Sequence, residues 1–374
     1  MLKTTLAAFF FVALPAVALA QGSSKTKQPK LTPQTSGTTQ LLISVSPVNS
    51  RVVWAAGTGG TYVTTTDGGQ HWKSAVVPGA EALQFRDVFA VSDKIAYLLS
   101  IGDNTTDFRI YKTLDGGATW KIEFTNQTAG AFYDCFAFWG PFRGIAHSDS
   151  VNGVFPDLRT FDGTNWNSIA NRMPPALVGE ASFAASGTCA ATQGLLNAWI
   201  VTGATSVARV LATRDGGQSW HAYDTPLASS PSGGAVTIAF RDPFHGIVGG
   251  GDLAVNNLAD TATSNDGGKT WTLTNTPPVQ GTIFCLAYAQ GNGHLDLSGF
   301  PFSKDKDKDD HERTVVITTE TAPDFAAGEA AWTPDEGKTW FTLPDVSGFW
   351  AVAFADPHDG WFVGNNGQIT KISF

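Results

Sequence analysis

One phrase returns along this chain: TTTDGGQHW at residues 64–72, KTLDGGATW at 112–120, LATRDGGQSW at 211–220, TSNDGGKTW at 263–271 and TPDEGKTW at 333–340, with a shortened TFDGTNW at 160–166. Each copy sets a Thr or Ser two residues before an Asp, with a Gly and then a Trp behind it. An Asp–Gly pair between strand-like runs predicts a tight turn in which the carboxylate accepts backbone N–H groups and Gly takes a positive φ. The Trp then opens the returning strand and offers a large ring for burial between sheets. The paired positions are Asp67 and Trp72, Asp115 and Trp120, Asp162 and Trp166, Asp215 and Trp220, Asp266 and Trp271, and Asp335 and Trp340. These residues are expected to be structural.

The tryptophans recur about every fifty residues, the period of a radial array of four-stranded sheets. A second element precedes each turn: an apolar strand, a tight turn, and a strand ending in Gly, as in DVFAVSDKIAYLLSIG, CFAFWGPFRGIAHSD, VTIAFRDPFHGIVGGG and WAVAFADPHDGWFVGNNG. LLISVSPVNSRVVWAAGTGG, FAASGTCAATQGLLNAWIVTG and IFCLAYAQGNGHLDLSG bring these hairpins to seven against six Asp–Trp turns. The expected fold is therefore all-β, a seven-bladed β-propeller of four-stranded antiparallel blades. The last hairpin begins at Phe349 and leaves room for three strands before Phe374. Its outer strand is expected from residues 28–40, because a closed ring leaves no sheet edge bare.

Residues 1–20 carry Lys3, the apolar LAAFFFVALPAVALA, and Ala18 and Ala20 in a small-x-small arrangement, the pattern of a secretory signal peptide. Residues 21–38 are polar and Pro/Ser/Thr-rich and read as a flexible leader, with one domain over 39–374. An exported protein, periplasmic or extracellular, not membrane-spanning and monomeric, is expected. A net charge of -9 argues against nucleic acid as a partner. Cys135, Cys189 and Cys285 lie in separate apolar segments without a C-x-x-C pair and are expected as buried free thiols, the alternative in an export compartment being one disulfide with one Cys left unpaired. No metal or cofactor is expected: in KDKDKDDHER at 304–313 the sixth position of a calcium loop is Asp310 and the twelfth is Val316.

The phrase S/T-x-D-x-G-x-x-W resembles the Asp-box of sialidase-type (BNR) repeats. The element in AFADPHDGWFVG at 353–364 is similar to that of the photosystem II assembly and stability factor family and its exported bacterial relatives. The resemblance covers residues 41–374 and implies a propeller without catalysis that binds a protein partner of an envelope complex. Asp-boxes also occur in glycosidases, so a carbohydrate-active hydrolase is the alternative. The nearest match to the sialidase Phe-Arg-Ile/Leu-Pro motif is FRIY at 108–111, which lacks the Pro and runs into a turn strand. A hydrolase would need converging carboxylates or a Tyr–Glu pair in the central pocket. GTGG at 57–60 and VGGGD at 248–252 end strands of the repeat, so neither marks a dinucleotide site.

In such blades the Asp–Trp turns share one face, and the second-to-third-strand loops lie on the other. Those loops are uneven here: 103–108, 148–158, 203–208, 251–262 and about 299–328. Arg109, Arg159 and Arg209 open third strands in three consecutive blades and are the expected binding residues, an arc of guanidinium groups suited to carboxylates on a partner. Asp252, Asp260, Glu329 and the Lys/Asp run at 304–310 would make the other side of that face acidic.

Overall fold

The computed structural model describes residues 28–256, 259–290, 311–325 and 327–374. Their strands form seven antiparallel sheets of four, each numbered outward from its first strand in chain order. Blade 1 spans residues 42–76, blade 2 84–125, blade 3 133–168, blade 4 190–224, blade 5 233–273, blade 6 282–342, and blade 7 349–373 with a fourth strand, Lys30–Thr35. That strand pairs Lys30 with Ser373 through to Thr35 with Gln368, so the ring closes with a strand from the N-terminal side. Pro33 is accommodated because an outermost strand has no further neighbour to donate to. The strand begins inside the segment read as a leader; the signal-peptide stretch and the run at 304–310 lie outside the described residues.

Each repeated turn is closed by its own side chains. In the first, Thr65 Oγ1 donates to Asp67 Oδ1 at 2.8 Å and accepts the Gly69 N–H at 3.0 Å, while Asp67 Oδ1 accepts the His71 N–H at 3.0 Å. The set recurs at Thr113 and Asp115, Thr213 and Asp215, Ser264 and Asp266, and Thr333 and Asp335. It is one residue tighter at Thr160 and Asp162. The His71 N–H holds Asp67 well below the usual carboxylate range, and the Asn165 N–H does the same for Asp162. Gly68 and Gly69 sit at φ +77° and +86°, where a side chain would be strained. The turn also reaches the loop between the first two strands of its blade, as Gly68 N–H to Arg51 O at 2.9 Å and Gly267 N–H to Phe244 O at 2.8 Å. Those two loops therefore share one face.

The tryptophans pack sideways into neighbouring blades. Trp120 lies edge-on to Trp54 and Tyr62 of blade 1, with centroids 6.2 and 5.2 Å apart. Trp271 lies edge-on to Phe240 at 6.0 Å, and Phe240 stacks on Trp199 of blade 4 at 3.5 Å. Trp220 is buried, Trp166 meets Phe138, Trp340 donates to Asn275 O, and Trp72 donates to Gln34 Oε1 on the closing strand.

Two expectations are corrected. Cys135 and Cys189 are joined in a disulfide, and only Cys285 is a free, buried thiol. Segments 54 residues apart become neighbours once blades 3 and 4 stand side by side, which brings the two Cα atoms to 6.0 Å. In blade 6 the strand paired with Thr282–Tyr288 is Val315–Glu320, and the HLDLSG segment lies outside the described residues. The β-branched run TVVITTE is the better strand former. The stretch joining the first and second strands of blade 6 therefore includes residues 291–310, which lie outside the described residues.

Trp271→Ala is expected to cost about 3–5 kcal/mol and lower the Tm by several degrees in calorimetry, because it empties a buried space between blades. Deleting the chain through Thr35 exposes the Gln368–Ser373 edge; a lower Tm with concentration-dependent aggregation is expected by light scattering.

Candidate functional site

The first strand of each blade is the inner edge of its sheet, and seven such edges face one another around a central channel of ≈ 150 Å³. Edge N–H groups need acceptors. Side chains of the preceding blade supply them: Ser44 Oγ to Val88 N–H at 3.1 Å, Asp87 Oδ2 to Phe136 N–H at 2.9 Å, Thr237 Oγ1 to Leu286 N–H at 3.1 Å and Cys285 Sγ to Val352 N–H at 3.4 Å. The Cys135–Cys189 disulfide links blades 3 and 4, and the hydroxyls of Thr188 and Thr237 meet at 2.7 Å across blades 4 and 5. Burial drives the Asp87 carboxyl well above its ordinary range. The channel lining is otherwise apolar or small.

Six first strands carry a register shift one residue before this belt. The extra residue re-aims its side chain. The residues so placed are Ile43, Arg86, Asp134, Val236, Phe284 and Trp350. Since these shifts sit near the strand starts, they fall at the channel end away from the repeated turns. Ile43, Val236, Phe284 and Trp350 form an apolar cluster with Ala185, backed by Phe183, Leu253 and Phe325. Arg86 and Asp134 complete the rim of a mouth of ≈ 350 Å³ that also takes in Phe132, Asp149 and Ser182.

This mouth is polar on one side only. Arg86 donates to Ala184 O at 3.0 Å and to Gln84 Oε1 at 2.8 Å, and lies 5.6 Å from the Trp350 ring centroid. Burial lowers its guanidinium to about 10, partly offset by Asp134. Burial raises Asp134 well above the carboxylate range, with Asp149 and Asp157 adding to it, and burial raises Asp149 as well. Asp149 accepts the Ser182 N–H at 2.9 Å. Behind them, buried His147 Nδ1 meets Asp157 at 2.9 Å. Arg86 Nε, Asp134 Oδ2 and Trp350 Nε1 are buried with no hydrogen-bond partner among the described residues.

The arginines expected as an arc do not form one. Arg209 is buried on the face opposite the turns and bolts blade 4 together: Nε donates to Glu180 Oε1 at 2.8 Å, Nη2 to Glu180 Oε2, and Thr202 Oγ1 to Glu180 Oε1 at 2.6 Å. Arg109, on the same face, is held by Thr106 O, Tyr111 Oη and Asp107. Arg159 lies at the other end, one residue before Thr160 of a repeated turn, because the third strand of blade 3 is only Leu158–Thr160. Sequence reasoning missed Arg86 and Asp134. Their signal is a charged pair in a column of first-strand residues otherwise filled by Ile43, Val236, Phe284 and Trp350.

The hydrolase alternative finds little in this geometry. Carboxyls flanking a glycosidic bond stand about 5 Å or more apart, whereas those of Asp134 and Asp149 interact directly with each other. A Tyr–Glu pair exists, Tyr288 Oη to Glu336 Oε1 at 3.0 Å, but Glu336 belongs to the last repeated turn and the pair lies away from the channel mouth. Burial raises the Tyr288 phenol well above its usual range, the reverse of an activated nucleophile. Glu336 is instead the hub of an ion-pair cluster with Arg241 at 2.7 Å and Arg313 at 2.9 Å. Among the described residues no group of acidic, His or Cys side chains is arranged to hold a metal ion, and no helix is long and apolar enough to cross a membrane.

No family profile matches the chain, and no curated protein does. Solved structures do. The chain is similar to a structure described as YCF48 bound to D1 peptide, with TM-score 0.58 at 17% identity over 93% of this chain and 97% of that one. It is similar to YCF48 from Cyanidioschyzon merolae, with TM-score 0.58 at 17% identity over 92% and 98%. It is also similar to the GH74 xyloglucanase from Xanthomonas campestris, with TM-score 0.56 at 14% identity over 91% of this chain and 53% of that one. At these identities the likeness is one of fold.

Burial raises the carboxyls of Asp87, Asp134 and Asp149 above their ordinary range, and raises Glu320 to about 8. The folded state therefore binds more protons than the unfolded chain above about pH 4, and stability falls as pH rises from there. Melting followed from pH 5 to pH 8 is expected to show a declining Tm. Glu320→Gln should flatten that decline, since its share is lost as pH climbs through about 8.

Proposed function

We propose that this protein is an exported propeller without catalysis that holds a segment of a partner protein at the apolar mouth of its channel, as an assembly or stability module of an envelope complex. The observation that carries this reading is the mouth itself: a preformed concavity walled by Phe183, Phe284, Phe325 and Trp350, with Arg86 and Asp134 confined to one side. Such a site takes an apolar side chain and fixes its orientation through a few polar groups. The similar fold described as bound to a D1 peptide supports a protein ligand, and the signal-peptide pattern of residues 1–20 supports export to a periplasmic or extracellular place of work. The protein acts as a monomer in this reading, without cofactor or metal.

A carbohydrate-active hydrolase is the second reading, favoured by the likeness to a xyloglucanase. The two separate in one experiment. Wild type and Phe325→Ala are used to capture partners from native envelope extract, and both are assayed on xyloglucan. Phe325→Ala is expected to weaken capture of the partner about tenfold, the effect of losing one aromatic anchor, with the Tm nearly unchanged. Steady release of reducing ends by the wild type, or capture indifferent to Phe325, would overturn the proposal.

A further inference from the structure

Arg159 is a buried cation with little to compensate it. It is 4% exposed, and its guanidinium makes no hydrogen bond or ion pair with any described residue; Nε and Nη1 are buried without partners. A buried cation left unpaired is costly, and covering it with one aromatic face recovers only part of that cost. Phe161 provides that face, its ring centroid 4.1 Å from the guanidinium carbon.

The surroundings add more donors. Arg143, whose Nη1 donates to Leu195 O at 2.9 Å, keeps a buried Nε without a partner beside the Trp139 ring. Trp220 Nε1, also unpartnered, adjoins Arg159 across Gly217: a Cβ built on that glycine would lie 3.5 Å from Arg159 Cδ and 3.6 Å from Trp220 Nε1. No acceptor answers this group. The nearby carboxylate, Asp215, is already taken by Thr213, Ser219 and the Gln218 N–H within its own turn. Burial lowers Arg159 to about 10, and Arg143 and Arg172 press in the same direction.

Around these donors the surface is apolar and open. Phe161 is 66% exposed, Leu195 58%, Leu196 48% and Phe142 40%. All four sit on loops of the repeated-turn face of blades 3 and 4, at the opposite end of the molecule from the channel mouth. A site with four unpartnered N–H donors and no acceptor asks for an acceptor-only group, and a guanidinium edge between flat rings suits a planar one.

We propose that Arg159, Arg143 and Trp220 form a second binding site, for a carboxylate carried on an apolar segment of a partner protein, with Phe161 as the ring that moves aside and then packs on the bound segment. An exposed aromatic ring turns on the nanosecond scale or faster, so this cover is no kinetic barrier. The site is independent of the channel mouth and stands or falls without it.

The test uses phenylacetate as the probe, with acetate and sulfate at matched ionic strength. Binding is followed by calorimetric titration and by the rise in Tm that a ligand of the folded state produces. Phenylacetate is expected to bind wild type saturably and to lose about tenfold or more in affinity in Arg159→Gln, the effect of removing a charge-assisted pair. Phe161→Ala, which keeps the guanidinium, should leave acetate binding intact and weaken phenylacetate; it also serves if Arg159→Gln fails to fold. Four results would each overturn the proposal. These are no saturable binding, equal binding by Arg159→Gln, sulfate binding as tightly as phenylacetate, and capture by anionic phospholipid vesicles that Arg159→Gln abolishes. The third would make the site an unselective anion hole, and the fourth would make its ligand a lipid surface.

Discussion

Seven sheets that radiate from one axis present seven unpaired inner edges to one another. That edge problem shapes the rest of the molecule. A bare strand edge is a row of backbone donors and acceptors seeking partners. Here the row is answered by short polar side chains of the preceding blade, so Ser44, Asp87, Thr237 and Cys285 serve the backbone of Val88, Phe136, Leu286 and Val352. The same crowding explains why the lining is small, why burial raises the Asp87 carboxyl, and why two cysteines from neighbouring blades come close enough to join. It also explains the mouth. Six first strands carry one extra residue just before the belt, and that residue alone is free to vary in size and charge.

The outer architecture was legible because its signals are local. Each Thr–Asp–Gly–Trp turn closes within eight residues on its own side chains, so a pattern along the chain is enough to find it. The closing strand was legible for a different reason: a ring with one short blade requires a strand, and only the N-terminal side could give it. What the sequence concealed depends on neighbours across blades. Cys135 and Cys189 look unrelated until two sheets stand side by side. Arg159 looked like a partner of Arg109 and Arg209 because all three open third strands, but its strand is three residues long and so ends at the turn face. In blade 6 HLDLSG and TVVITTE both read as strand formers, and only the pairing of Val315–Glu320 with Thr282–Tyr288 assigns the second strand.

The sixth turn shows how a local rule bends when long-range contacts compensate. Five turns place Gly at the first positive-φ position, whereas the last reads Asp–Glu–Gly and holds Glu336 at φ +56°. A side chain there costs of order 1 kcal/mol or more. Glu336 binds Arg241, Arg313 and Tyr288, which ties the end of the insertion, through Arg313, to the loop of blade 5. A cluster that resembles catalytic machinery by residue type is thereby a clamp: against burial, which raises it, Arg241 and Arg313 hold Glu336 below its ordinary range, and burial raises the Tyr288 phenol.

The two ends of the molecule differ in the hydrogen-bonding character of what they leave unanswered. At the mouth the unpartnered atoms are mixed: Arg86 Nε and Trp350 Nε1 donate, and Asp134 Oδ2 can accept, within a group whose carboxyls burial raises above their ordinary range. A peptide backbone, with one donor and one acceptor per residue, matches such a set without bringing charge into an apolar concavity. At the turn face the unpartnered atoms of Arg159, Arg143 and Trp220 are donors alone. Only an acceptor-rich group answers them, and the exposed Phe161 and Leu195 decide that it arrives on something apolar. One chain of a partner could meet both needs only by passing from one face of the ring to the other, so the two ends are better fitted to separate segments than to one continuous ligand.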